Sequence, residues 1–379
     1  MTPLQKSRYL SEKYNADIWL KREDLNEIRS YKIRGAKNFL EKSTIPKEGV
    51  VTASAGNHAQ GVAYVCAELN VKCKIYMPRT TPKQKVEKVK YWGKTAEIIL
   101  IGDSYDECEE EAKKQIGLYV PPFDHELIIE GQANVVKEIL SEMSFDTLIV
   151  PIGGGGLAAG AAITLPSNID LITCEPAGAP SFSEALKAGH PVKLDKIDSF
   201  VDGASVKKVG LCTFAACQNR VNQHFLIENG SVCATMIELY NQEGIVVEPA
   251  GALSVAVLEK YANSGKKIVC VISGGNNDLS RMAEIQERAL QYKGLRHYFL
   301  IYFASRAGAL KEFVQNVLVN DEDIVRFEFI KKTNRENGAA LVGLELKKRD
   351  DLPLLLNRMK LSGIRFTDIE DSMFYEFLI

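Results

Sequence analysis

The sequence contains no Cys-x-x-Cys pair, only five histidines and two tryptophans, and no large excess of either charge. Each scarcity removes a class of function. Lysines and arginines number 47 against 49 acids, a formal net charge of −2, and the basic residues sit beside acids, as in Glu109 to Lys114 and Lys347 to Asp351. With no basic stretch interleaved with aromatics, a nucleic-acid surface is not expected. No apolar run reaches the ~18–20 residues of a membrane span. Met1 to Lys6 lacks the charged-then-apolar organisation of a secretory signal, so a cytoplasmic location is expected. The eight cysteines lie mostly in apolar segments such as Ile268 to Ile272. They are expected to be reduced packing residues, not disulfides or metal ligands, and no metal site is expected.

What is present is a chain of 379 residues with 46% hydrophobic side chains, long enough for two or three domains. From about Gly49 onward, short β-rich runs alternate with segments of helical period, which predicts an α/β protein with largely parallel sheets. The clearest predicted strands are 49–53, 74–77, 97–101, 147–151, 171–175 and 267–273. Helices are predicted over 58–68, 82–91, 105–114, 131–142 and 231–243. After a charged helix over 280–292, Lys293 and Gly294 read as a linker. The boundary is therefore expected there, with 1–292 as the larger region and 293–379 as a small α+β domain. Its predicted strands are 297–304, 323–330, 339–346 and 373–379, with helices 307–319 and 351–359, a split β-α-β arrangement.

Three strand-to-loop-to-helix junctions and one lysine could carry chemistry. Gly153-Gly154-Gly155-Gly156-Leu157 follows the apolar run ending at Pro151 and precedes a small-residue helix. Such a loop lets backbone amides and a helix N-terminus converge on an anion. The absence of a following Lys-Ser/Thr excludes a nucleotide P-loop, and a monophosphate fits better. The alternative is a plain flexible turn. Ser54-Ala55-Gly56-Asn57-His58 opens another helix and could grip a carboxylate, although Ser and Asn are also ordinary caps. Ser273-Gly274-Gly275-Asn276-Asn277 ends a third apolar strand; Ser273 could offer a neutral hydrogen bond at a pocket floor, or the segment could simply be a turn. Lys32 stands at a helix start that Ser30 can cap. A cation there opposes the helix dipole, a conflict that a neutral or imine lysine removes. The alternative is a solvated surface lysine.

Taken in order, Ser30-Tyr31-Lys32-Ile33-Arg34-Gly35-Ala36, the segment Ser54 to Gly61, the glycine loop, Glu248-Pro249-Ala250-Gly251-Ala252 and Ser273 to Asn277 resemble the biosynthetic threonine dehydratases, also called threonine ammonia-lyases. The resemblance covers nearly the whole chain. It implies a tryptophan-synthase-β-like (fold type II) catalytic region with two parallel-sheet domains, and pyridoxal 5′-phosphate as cofactor. The implied reaction is dehydration and deamination of L-threonine to 2-oxobutanoate and ammonia, the first step of isoleucine biosynthesis. Carried over by position, Lys32 would hold the cofactor as a Schiff base and act as the base at Cα. Gly153, Gly154, Gly155, Gly156 and Leu157 would bind its phosphate, Asn57 its 3′-oxygen and Ser273 its ring nitrogen, with Tyr31 bordering the ring. Ser54, Ala55, Gly56, Asn57 and His58 would bind the substrate carboxylate.

The segment from His297 resembles a single ACT-like regulatory domain, which implies feedback by isoleucine or valine; an oligomerisation-only domain is the alternative. A homotetramer is implied by the same family. A serine/threonine dehydratase or a serine racemase would share the cofactor site and carboxylate loop, but not the extra domain. His58 after Gly-Asn separates the chain from the cysteine and threonine synthases, which usually carry threonine there.

Overall fold

The computed structural model describes residues 1–369 except 95, 262–264, 320 and 330–335. It divides into two compact units, Met1–Leu279 and Ser280–Ile379. In the first, a six-stranded sheet runs in the order Leu4–Lys6, Asp17–Arg22, Lys267–Ile272, Thr147–Pro151, Asp170–Pro176 and Gln223–Ile227. Every pairing is parallel except that of the edge strand Leu4–Lys6. A smaller, all-parallel sheet has the order Ala96–Leu100, Cys73–Met77, Val50–Ala53 and Leu118–Tyr119. The central strands are apolar along their whole length because both faces are covered by helices. Thr147–Pro151 and Val50–Ala53 are buried at every position, and Lys267–Ile272 at all but its first.

Parallel order puts the carboxyl ends of all strands but Leu4–Lys6 at the same edge of their sheet, where ligands bind in such folds. The segment 23–32, the loop 152–155 and the loop 273–277 leave the larger sheet there; the loops 54–56 and 120–124 leave the smaller one. Helix Lys32–Lys42, the lysine helix, packs on helix Asn57–Glu68 and on helix Glu126–Glu142, which in turn packs on helix Gly156–Thr164. One polar network fixes it. Lys21 is fully buried, and its ammonium bonds the Glu138 carboxylate at 2.7 Å and the Thr2 carbonyl at 2.7 Å. Arg34, in the first turn of the lysine helix, bridges Glu138 at 2.6 Å and Glu23 at 2.7 Å.

The second unit is an antiparallel sheet in the order Asp323–Phe329, Asn337–Glu345, Arg296–Ala304 and Arg365–Asp368. Helices Ala309–Val317 and Leu352–Leu361 pack on it, sharing a core of Phe299, Ile301, Phe313, Val342, Leu355 and Met359. Chain order strand, helix, strand, strand, helix, strand matches the split arrangement read from the pattern. The closing strand is Arg365–Asp368; the expected strand 373–379 and the last residue of the expected strand 323–330 lie outside the described residues. The break between units falls at Leu279/Ser280 rather than at the 292/293 of the sequence reading. The helix Met282–Tyr292 accounts for the difference, because it packs against Arg296–Ala304.

Removing Glu138 strands a buried cation. Glu138→Ala leaves Lys21 with Glu142 at 3.6 Å as a weak substitute, and is expected to cost the first unit about 3 kcal/mol. Both tryptophans, Trp19 and Trp92, lie in that unit, so urea unfolding followed by tryptophan fluorescence reads it directly. A loss under ~1 kcal/mol would reduce the network to the level of a surface pair.

Candidate active site

The lysine segment is built by its neighbours rather than by local propensity. After strand Asp17–Arg22 the chain turns at Asn26, whose amide donates to the Ser30 carbonyl at 2.7 Å and whose oxygen accepts the Ser30 N–H at 3.0 Å. Arg29 takes a left-handed φ of 57°, uncommon for a side chain other than glycine, asparagine or aspartate. Tyr31 N–H then donates to the Ser273 carbonyl at 3.1 Å and Gly275 N–H to the Arg29 carbonyl at 2.9 Å. The segment is thereby stitched to the Ser273–Gly275 loop immediately before the lysine. Ser30 Oγ accepts the Lys32 N–H only weakly, at 3.4 Å.

Lys32 is half-buried. Its Nζ donates to the Pro122 carbonyl at 3.0 Å and lies 5.4 and 5.9 Å from the ring centres of Tyr31 and Phe123. Burial pushes the ammonium down to about 8, against a weaker pull upward from the Glu248 carboxylate. Desolvation disfavours the charged form of an amine, so a nucleophilic neutral fraction exists near neutral pH. Burial raises the Tyr31 phenol in turn, and it stays un-ionised.

The glycine loop is one in which side chains do not fit. A Cβ on Gly154 would fall 2.2 Å from the Phe123 ring, and one on Gly153 would fall 2.6 Å from the Ala204 carbonyl oxygen. Gly155 has φ +94°, and a Cβ there would meet Thr213 at 2.7 Å. Among the described residues, no acceptor lies within hydrogen-bond reach of the amides of Gly153 through Leu157. Leu157 itself is buried in the core and presents only its amide to the loop. Five unpaired donors at the start of a nine-residue helix fit a phosphate monoester.

In the facing loop, Ser54 N–H donates to the Tyr76 carbonyl at 3.0 Å and Ser54 Oγ accepts the Gly56 N–H at 3.1 Å. The amides of Ala55, Asn57 and His58 remain open to a carboxylate among the described residues. The His58 ring points elsewhere. It is buried, bonds the Val120 carbonyl at 3.1 Å, and is held neutral, down at about 3, by burial and then by the Lys32 charge. A neutral ring nitrogen facing a carbonyl carries the proton, so Nε2 donates. His58 can thus serve the loop through its backbone while its ring anchors the helix.

Asn57 belongs to a second cluster. Its Nδ2 donates to Glu248 Oε1 at 2.7 Å, and its Oδ1 accepts from Asn276 Nδ2 at 2.8 Å. Glu248 is buried and pushed up to about 7, first by burial and then by Asp202. Ser273 is buried with its hydroxyl donating to the Ala250 carbonyl at 3.1 Å. One proton cannot serve two acceptors. In this rotamer Ser273 can only accept from a ring nitrogen; rotation about its C–O bond lets it donate.

Two groups escaped the sequence reading. Segment 120–125 touches three parts of the site: Val120 holds His58, Pro122 holds Lys32, and Phe123 fills the space above Gly154. Asp124 caps helix Leu211–Cys217 by accepting from the Leu211 and Cys212 amides at 2.9 and 2.8 Å. Its only local mark is Pro121-Pro122-Phe123-Asp124-His125 directly after a short strand. Glu248 and Asn276 lie inside motifs that were noticed, but their roles depend on contacts 191 and 219 residues away from Asn57.

Residues 1–274 match the family of pyridoxal-phosphate dependent enzymes, and residues 287–379 match the C-terminal regulatory domain of threonine dehydratase. The chain is 50% identical to a biosynthetic L-threonine dehydratase of Halalkalibacterium halodurans, over 97% of this chain and 92% of that protein. It is 46% identical to one of Bacillus subtilis, over 100% and 93%. Similar solved structures include the processed form of threonine deaminase isoform 2 from Solanum lycopersicum, at 36% identity and TM-score 0.73, covering 76% of this chain and 83% of that one. Maize serine racemase follows at 28% identity and TM-score 0.69, covering 77% of this chain and 93% of its own. Full-length identity of this order, joined to the two matching family models, places the chain in the biosynthetic threonine dehydratase family of pyridoxal-phosphate dependent enzymes.

Proposed function

We propose that this protein converts L-threonine to 2-oxobutanoate and ammonia, opening isoleucine biosynthesis in the cytoplasm under feedback control through its second unit. The observation that carries the reading is the desolvated Lys32 amine, held on the Pro122 carbonyl beside Phe123, the ring that lies against Gly154 of the glycine loop. Maize serine racemase leaves 7% of its own length outside the match, too little for a counterpart of the second unit, which favours the regulated dehydratase over a racemase or a catabolic serine/threonine dehydratase. No helix among the described residues is long and apolar enough to cross a membrane. A homotetramer completes the reading by family resemblance.

When bound, pyridoxal phosphate supplies the electron sink that allows a Cα–H bond to break. Gly153, Gly154, Gly155, Gly156 and Leu157 hold its phosphate, Asn57 faces its 3′-oxygen, Ser273 its ring nitrogen, and Tyr31 flanks the ring. Lys32 would be the residue that holds it, and its neutral amine would take the Cα proton of the substrate. The amides at Ser54 to His58 hold the substrate carboxylate, which fixes the Cα–H bond toward Lys32. The neutral hydroxyl of Ser273, in place of a carboxylate, leaves the ring nitrogen less protonated and suits elimination of the β-hydroxyl as water more than transamination. Residues 1–279 carry out this chemistry, and the remainder senses a branched-chain amino acid.

Lys32→Ala is expected to abolish the long-wavelength absorbance of the lysine-linked cofactor and to lower 2-oxobutanoate formation by at least about 10³-fold; retained turnover would assign the base elsewhere. The pH dependence of cofactor uptake tests the electrostatics. Uptake needs the neutral amine, so its rate rises with pH through about 8. Glu248 is ionised at that pH and opposes loss of the proton, so Glu248→Gln should move the midpoint to lower pH. An upward or absent shift would contradict the arrangement. For the second unit, isoleucine should raise the threonine concentration giving half-maximal rate in the full-length protein; a curve unmoved by isoleucine and by valine would leave it an assembly domain.

A further inference from the structure

Helix Lys83–Trp92 packs on helix Asn57–Glu68 and strand Ala96–Leu100, burying Val86 and Val89 on the side of the smaller sheet. Lys85 and Lys88 lie off that buried face and reach loops that belong to the larger sheet. Lys85 pairs with Asp202, and Lys88 Nζ donates to Asn276 Oδ1 at 3.1 Å. Asn276 is thus gripped from the smaller sheet's side by two residues, Lys88 at its oxygen and Asn57 at its nitrogen.

The grip has a direction. A carboxamide offers acceptor and donor at opposite ends. With Oδ1 toward the Lys88 ammonium, Nδ2 of Asn276 faces two acceptors, the Ile28 carbonyl and Asn57 Oδ1, each at 2.8 Å. Asn57 Oδ1 is then occupied, and its Nδ2 must point the other way, where it meets Glu248 at 2.7 Å. A cation at the head of a chain of amides polarises each one and strengthens the final donor. Four charged groups face Lys88 besides: Arg29 and Lys85, which disfavour its charge, and Glu248 and Asp278, which favour it.

We infer that Lys88 is a positioning residue for the dehydratase reaction: through Asn276 it orients the Asn57 amide, one N–H of which Glu248 takes, and makes the second N–H a stronger donor toward the 3′-oxygen edge of the cofactor. The inference rests on the proposed function and names a residue outside the motifs that define the site. Lys88–Asn276, Lys85–Asp202 and Asn57–Glu248 each join an element of the smaller sheet's side to a loop of the larger sheet's side, so Asn57 is oriented by contacts from both.

The test uses purified holoenzyme of the wild type, Lys88→Met and Lys88→Arg, with pH-dependent visible spectra of the bound cofactor and threonine kinetics. Lys88→Met should shift the spectral midpoint upward by about one pH unit, because an anionic 3′-oxygen loses part of its stabilisation. It should lower kcat/KM roughly tenfold, the order of one charge-assisted hydrogen bond. Lys88→Arg, which keeps the cation and its donors, should restore both. If Lys88→Met changes only the melting temperature, with spectrum and kinetics like the wild type, the inference is overturned while the dehydratase reading stands. A wild-type protein without cofactor absorbance or 2-oxobutanoate would overturn the function itself.

Discussion

An amine whose pKa is to fall toward neutrality has to be kept out of water without being given a carboxylate close enough to hold its proton. Lys32 meets that constraint with a backbone carbonyl, two aromatic rings and a carboxylate that acts on it only at a distance. A direct ion pair would raise its pKa and remove the nucleophile; a solvated position would leave it fully charged. Most of the surrounding structure serves this one placement. The Lys21, Glu138, Arg34 and Glu23 network fixes the helix that starts at the lysine, and the Ser273–Gly275 loop fixes the turn that leads into it. Arg34 sits two residues from Lys32, yet is fully paired on a different side of the helix. The sequence therefore contains two cations in one helical turn, and the fold assigns them opposite fates.

The parallel sheets supply the second ingredient. Because the carboxyl ends of their strands share an edge, loops distant in the chain converge without any one of them being long. The glycine loop, the Ser54–His58 loop and the Ser273–Asn277 loop are each short and held at both ends by a strand and a helix or by paired backbone. The glycine loop and the Ser54–His58 loop keep amides open among the described residues, a costly condition unless a ligand satisfies them. Phe123, lying against Gly154, shows how close the packing is: one methyl group on the loop would collide with the ring.

The parts of this site that were legible in the sequence are those whose chemistry is local. A strand, four glycines and a small-residue helix were read in the order in which they fold, and so was the helix that Ser54 to His58 opens. The parts that were not legible depend on pairing across the chain. Strand Asp17–Arg22 carries Lys21 and Arg22, polar residues that disguise a strand lying inside the sheet until their partners at Glu138 and Asp24 are in place. His58 read as a group for the substrate carboxylate, but its ring is committed to Val120, a residue with no motif around it. Glu248 and Asn276 were visible as letters in recognisable stretches, but not as partners of Asn57. The boundary between units moved for the same reason: a charged, amphipathic helix gives no sign in its own sequence of which side it will pack on.

Lys32 and Glu248 are displaced in opposite directions, the amine down to about 8 and the acid up to about 7, and burial is the leading cause of both. The carboxylate also bears on the amine. Ionising Glu248 makes the Lys32 ammonium harder to deprotonate, and Asn57, bonded to Glu248 and to Asn276, lies between this pair and the rest of the site. Two amides in series, Asn57 and Asn276, join the Glu248 carboxylate to the Lys88 cation. That chain, rather than any single residue, is what the two-sheet architecture adds to the chemistry of a half-buried lysine.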